Sequence, residues 1–94
     1  VAWTKLREVE ANTNTYSRYQ GPEGSATVFR NGRVLFGFIV SPGGAERRWS
    51  VDAPPEGNVQ QVRIFPEGDH WTVYVLTDPR DGIRAEFGMA VAPL

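Results

Sequence analysis

From Ser25 to Val40 the chain reads Ser-Ala-Thr-Val-Phe-Arg, then Asn31-Gly32, then Arg-Val-Leu-Phe-Gly-Phe-Ile-Val. Two runs rich in β-branched and aromatic residues around an Asn-Gly pair predict a β-hairpin, because a type I′ turn needs φ > 0 at both central positions. A two-residue turn at 31–32 sets Phe29 opposite Val34, Thr27 opposite Phe36 and Ser25 opposite Phe38 on one side. The other side carries Arg30 with Arg33, Val28 with Leu35 and Ala26 with Gly37. The aromatic side is expected to be core. The second side is also apolar except at the turn, so the hairpin is expected to be central and covered on both faces. Arg30 and Arg33 are left as a like-charged pair at a free tip.

A second hairpin follows from the run Asn58 to Val75. With Pro66 to Asp69 as a four-residue loop, Ile64 pairs with Trp71, Val62 with Val73 and Gln60 with Val75 on an apolar face. The opposite, amphipathic face receives Phe65 with His70, Arg63 with Thr72 and Gln61 with Tyr74. After the Asp78–Gly82 loop, Ile83, Ala85, Phe87, Met89 and Val91 alternate inward against Arg84, Glu86 and Gly88, as in a half-exposed strand. Arg47 to Val51 reads as a further short strand. Ala2 to Glu10 fits an edge strand, with a short helix through Trp3, Leu6 and Val9 as the alternative. Asn12 to Ser17 reads as a polar loop.

Gly and Pro punctuate the chain at short intervals, at Gly21-Pro22, Pro42-Gly43-Gly44, Pro54-Pro55 and Asp78-Pro79 among others. Short strands between such breaks predict an all-β fold, an antiparallel meander of six or seven strands forming a β-sandwich or flattened barrel. Ninety-four residues without an internal repeat or linker are expected to form one domain, 1–94.

Composition narrows the chemistry. With no cysteine there is no disulfide framework and no thiolate site, so the core must rest on packing, for which three Trp, three Tyr and five Phe are available. Ten basic and eleven acidic residues leave a net charge of −1, which argues against nucleic acid as a partner. No apolar run approaches the ~18–20 residues that cross a bilayer as a helix, so no membrane insertion is expected. A start at Val1-Ala2-Trp3 without Met is expected of a processed or trimmed chain, and a cleaved leader would place the protein outside the cytoplasm, secreted or periplasmic.

Candidate catalytic groups are sparse. His70, the lone histidine, follows Asp69 and is either a base or ligand beside that carboxylate or an ordinary strand-initial residue. No serine lies in a Gly-x-Ser-x-Gly frame. The Pro66–Asp69 and Asp78–Gly82 segments lack the alternating acidic pattern of a calcium loop and read as turns. Glu46, Asp52 and Glu86 would have to converge to cleave a glycoside, and spacing does not bring them together. No metal and no cofactor is expected.

Tyr and Arg concentrate at interface centres. The outward face of the second hairpin, with Arg63, Tyr74 and His70, is therefore the leading binding surface, and Trp49 beside Arg47 and Arg48 is a second candidate. The reading leans away from an enzyme and toward a binding module that recognises a protein or carbohydrate through a sheet face or loop rim. The alternatives are an inhibitor or immunity-type protein acting through loops such as Asp52–Glu56, a structural subunit of virion or tail type, and a small barrel enzyme or ligand carrier. Oligomeric state is not legible at this level.

Overall fold

The structure is a computed structural model that describes residues 2–10 and 18–94, leaving aside the side chains of Val9 and Glu10. It is all-β, with eight strands: β1 (Thr4–Glu10), β2 (Arg18–Gly21), β3 (Gly24–Asn31), β4 (Val34–Val40), β5 (Glu46–Asp52), β6 (Asn58–Glu67), β7 (His70–Arg80) and β8 (Ile83–Pro93). They form two antiparallel four-stranded sheets, ordered β1-β8-β7-β6 and β2-β3-β4-β5. The expected fold class is therefore present, with β2 as a strand beyond the six or seven anticipated. The N-terminal segment is a strand and not a helix, and it pairs edge-on with β8. The expected polar loop Asn12–Ser17 lies outside the described residues.

Both predicted hairpins exist, with tighter or shifted turns. Asn31 pairs with Val34 and Phe29 with Phe36, so the loop is Gly32-Arg33. Gly32 has φ of 62°, and among the described residues no non-glycine residue has positive φ. That pattern is the type II′ turn, which puts a left-handed residue only at its first central position. Leaving Asn31 in the strand spares it the strain a type I′ turn would impose. The second hairpin repeats the solution: Glu67 pairs with His70 around Gly68-Asp69, and Pro66 is drawn into β6 opposite Trp71. Each change moves partners by two residues, which preserves the faces.

What the register preserved, packing inverted for the first hairpin. Its core face is Ala26, Val28, Leu35 and Ile39, all 4% exposed or less, while Phe29 (44%) and Phe36 (37%) lie outside. The expectation that Phe29, Phe36 and Phe38 form the core is overturned. The facing sheet supplies the bulk, through Ile64, Trp71, Val73 and Val75. A layer about 10 Å thick filled from one side by the Trp71 ring and branched side chains is completed on the other by small and medium side chains. Gly37 belongs to that arrangement: the Trp49 ring lies over it, and a Cβ there would stand 3.2 Å from Trp49 Cζ2.

The second hairpin keeps Ile64, Trp71, Val73 and Val75 of its predicted apolar face inward, but a bulge between Val59 and Gln61 puts Val59 inside and leaves Gln60, expected opposite Val75, exposed and out of the ladder. On β8, Ala85, Phe87 and Met89 are buried as expected, but Glu86 is buried as well at 6%. β8 is thus not half-exposed; β1 and β7 flank it on either side.

The tip of the first hairpin is not free either. Arg30 and Arg33 do not face each other, since Arg30 pairs with Leu35. Arg30 Nη1 donates to Val59 O at 2.9 Å, and Arg33 donates to Gly57 O at 3.0 Å and to Pro54 O. The two guanidinium groups thereby clamp the crossover that carries the chain from one sheet to the other. Ala53 and Pro54 are buried beneath it, so the Pro-rich segment is folded back at its base instead of projecting.

Candidate functional site

The residues singled out from the sequence separate in space. Arg63 and Tyr74 are direct cross-strand partners on the outer face of β6-β7, and His70 opens β7 on the same hairpin. Trp49 lies on the other sheet, 8% exposed, within the core cluster. Its ring is committed to packing and offers no outer face to a partner.

The polar handles of the first group are already engaged within the chain. Arg63 Nη2 donates to Glu86 Oε2 at 2.7 Å, and Arg7 Nε lies 3.3 Å from the other oxygen of that buried carboxylate. The Arg63 guanidinium also sits 5.5 Å from the Phe65 ring centroid and 5.6 Å from that of Tyr74. Tyr74 donates its hydroxyl to Glu67, and His70 Nδ1 lies 2.9 Å from Asp69 Oδ1. That contact with His70 holds the Asp69 carboxyl below the usual carboxylate range. This face builds stability with groups that would otherwise serve a ligand.

Burial, reinforced by the hydrogen bond to Glu67, pushes the Tyr74 phenol up to about 12. The folded state therefore favours the neutral phenol more than the unfolded chain does. Its contribution is complete below pH 10 and is lost as the pH rises toward 12. In a near-ultraviolet titration of phenolate absorbance, Tyr74 should ionise with a midpoint near 12, and Tyr74→Phe should remove that late step. A wild-type curve that completes near the ordinary tyrosine value would contradict the contact.

Beside this network a groove of about 420 Å³ runs between β1 and β7, lined by Thr4, Leu6, Glu67, His70, Thr72 and Tyr74. Thr72 Oγ1 is buried there without a hydrogen-bond partner among the described residues. A larger cleft of about 690 Å³ opens between Trp3, Val51, Pro55, Phe87 and Met89, where Trp3, just before β1, donates its indole N–H to Asp52 O at the end of β5. Among the described residues, no group of three or more His, Asp or Glu is placed to hold a metal ion.

The surface missed by sequence reasoning is the outer face of β2-β3-β4-β5. Register places Val34, Phe36, Phe38 and Val40 in one line along β4, flanked by Phe29 and Thr27 on β3 and by Asp52, Ser50, Arg48 and Glu46 on β5. Phe29 stacks on Phe36 with centroids 5.5 Å apart and meets Phe38 edge-on at 6.1 Å. The Arg48 guanidinium lies 5.2 Å above the Phe38 ring. Among the described residues no strand lies across this face. Its signal was present in the sequence as an uninterrupted apolar run, Val34 to Val40, the pattern of a strand covered on both sides. Among the described residues, only one side is covered.

Comparison with protein-family models, with curated proteins and with solved structures gives no significant match.

Proposed function

We propose that this protein is a non-enzymatic binding module, working outside the cytoplasm, whose partner is a protein that docks on the outer face of β2-β3-β4-β5. The observation that carries the reading is the line Val34, Phe36, Phe38 and Val40, apolar at every outward position of a strand whose other side is core. Phe29, Val34 and Phe36 are 44%, 39% and 37% exposed and contiguous, which is the form a docking patch takes on a soluble protein. Aromatic rings with an arginine at the margin match the composition of interface centres. A protein suits this face better than a sugar, because a sugar brings many hydroxyls, whereas the groups beside the rings are mainly Thr27, Ser50 and the already stacked Arg48.

A second reading rests on the unpartnered Thr72 Oγ1, which favours a small polar ligand such as a sugar in the groove beside Tyr74 and His70.

The test compares retention of proteins from a lysate of the source organism by wild type, Phe29→Ser/Phe36→Ser and Arg63→Ala/Tyr74→Ala. A partner held by wild type and by the second variant but lost at least tenfold with the first supports the aromatic face. Equal retention by all three sinks it. Glycan-array binding lost only with the second variant would move the site to the groove. Because Phe29 and Phe36 are exposed, the first variant should melt close to wild type, within about 1 kcal/mol of stability per site.

A further inference from the structure

The outer face of β2-β3-β4-β5 has a charge pattern that complements itself. Its outward residues lie in successive rows across β3, β4 and β5: Ser25, Val40 and Glu46; Thr27, Phe38 and Arg48; Phe29, Phe36 and Ser50; Asn31, Val34 and Asp52. Arg18 extends the second row on β2. Arg48 and Asp52 therefore sit one row to either side of the row that holds the stacked Phe29–Phe36 pair.

Two copies of such a face can be laid together about a two-fold axis running across the strands. Aligned sheet packing keeps the strand directions within about 30° of each other, so facing positions near the axis follow the register. An axis centred on the Phe38 row would set Arg48 on Arg48. One centred between the Phe38 and Phe36 rows would set Glu46 on Asp52, and one centred on the Val34 row Asp52 on Asp52. An axis along the strands brings Arg48 to Thr27 or to Arg18 and forms no opposite pair. An axis between the Val40 and Phe38 rows pairs Glu46 with Arg48 but leaves Phe29, Phe36 and Val34 beyond the end of the facing strands. Centred on the Phe36 row, the axis covers these rings and sets Arg48 against Asp52 twice, Phe38 against Val34 twice, and Phe36 against itself.

We propose that the protein forms an isologous dimer through this face, with a two-fold axis over Phe36 and reciprocal Arg48–Asp52 pairs at its margin. The proposal rests on the reading of this face as the docking surface and names its occupant: a second copy of the chain. Two-fold dimers demand a self-complementary patch, which is what the rows supply. The contact covers the apolar line on β4 that the described residues leave open, and it encloses the rings before the charges, as in a core-and-rim interface. Four strands about 4.8 Å apart and about seven residues long span roughly 450 Å² per copy. That is at the small end of specific interfaces, so the dimer should be reversible and concentration-dependent.

The test is sedimentation velocity of wild type, Phe36→Ser, Arg48→Asp, Asp52→Arg and the double reversal Arg48→Asp/Asp52→Arg, each over a wide concentration range and each checked for folding by its thermal melt. Wild type should rise from one chain to two with concentration. Each single reversal and Phe36→Ser should weaken the dimer roughly tenfold or more, since like charges then face each other or the central ring is gone. The double reversal should recover dimerisation, an outcome that damage to the fold would not produce. A double reversal that stays as weak as the singles, or a dimer indifferent to all four variants, overturns the proposal. A wild type that is monomeric throughout also overturns it. If Phe29 and Phe36 then still govern capture of a different protein, the docking face stands with another occupant; if they do not, both readings fall together.

Discussion

Trp71→Ala is expected to lower stability by about 3–5 kcal/mol, the range for truncating a buried tryptophan. Trp71 is 1% exposed at the start of β7, between Pro66 on β6 and Ala92 on β8. Its ring meets Tyr19 of the other sheet edge-on at 5.6 Å, so it joins the two layers where β2 and β6 approach. The neighbours that would have to collapse into the space are held in strand ladders, and the void would persist. With each kcal/mol worth about 4–8 °C in a domain of this size, the melting temperature should fall by about 15 °C or more. Denaturant unfolding followed by circular dichroism measures the loss directly, and Trp71→Phe should retain much of the stability. A Trp71→Ala variant within 1 kcal/mol of wild type would mean that the sheets do not pack through this ring.

Gly37→Ala is the second large effect and runs against the usual sign. Replacing glycine by alanine ordinarily adds about 0.4–1 kcal/mol by narrowing the unfolded ensemble, wherever the backbone and space allow. Here the new methyl would overlap the Thr27 carbonyl oxygen, standing 2.9 Å from its carbon, and would press on the Trp49 ring. Two of these neighbouring atoms are backbone and cannot rotate away, so β3 and β4 must separate or Trp49 must leave the core. A loss of about 3 kcal/mol is expected, at the upper end of overpacking costs. Gly43→Ala is the control: nothing lies within 4 Å of a Cβ at that position, and its melt should match or slightly exceed wild type. If both variants melt like wild type, the close approach of β3 and β4 at Gly37 is not real.

These effects lie on the inner side of the first hairpin, and the proposed interface lies on its outer side, with alternate residues of β4 serving each. Leu35 and Ile39 hold the core while Phe36 and Phe38 face outward. Variants of the outward set should therefore change association with little change in melting, and variants of the inward set should do the reverse. Gly37→Ala would disturb both, because separating β3 from β4 also breaks the Phe29–Phe36 stack.

Alternation and turn chemistry were enough to read the all-β class, both hairpins and most of the apolar face of β6-β7, whereas the N-terminal edge strand followed only from its β surroundings, with a helix as the alternative. They worked because strand periodicity and left-handed turn positions are local properties. Turn type was misjudged at Asn31-Gly32 because one glycine serves either turn, and the strain that decides between them falls on its neighbour. The short strand β2 was missed, since Arg18-Tyr19-Gln20-Gly21 carries one inward ring and little pattern.

The surroundings of the candidate residues were less legible than the fold. Arg63, Tyr74 and His70 were recognisable as interface-type residues, and Asp69 beside His70 was visible in the sequence, but Glu86 reaches Arg63 from another strand and Glu67 reaches Tyr74 across the turn, contacts that only folding makes. The apolar run from Val34 to Val40 announced that both sides of β4 seek cover. Hydrophobicity did not say which side the protein would cover with its own second sheet, because both sides satisfy it. The tertiary structure made that choice through volume: a layer that receives Trp71 from the facing sheet and Trp49 and Tyr19 from the flanking strands β5 and β2 has room between them for Ala26, Gly37 and Leu35, and none for three phenylalanines.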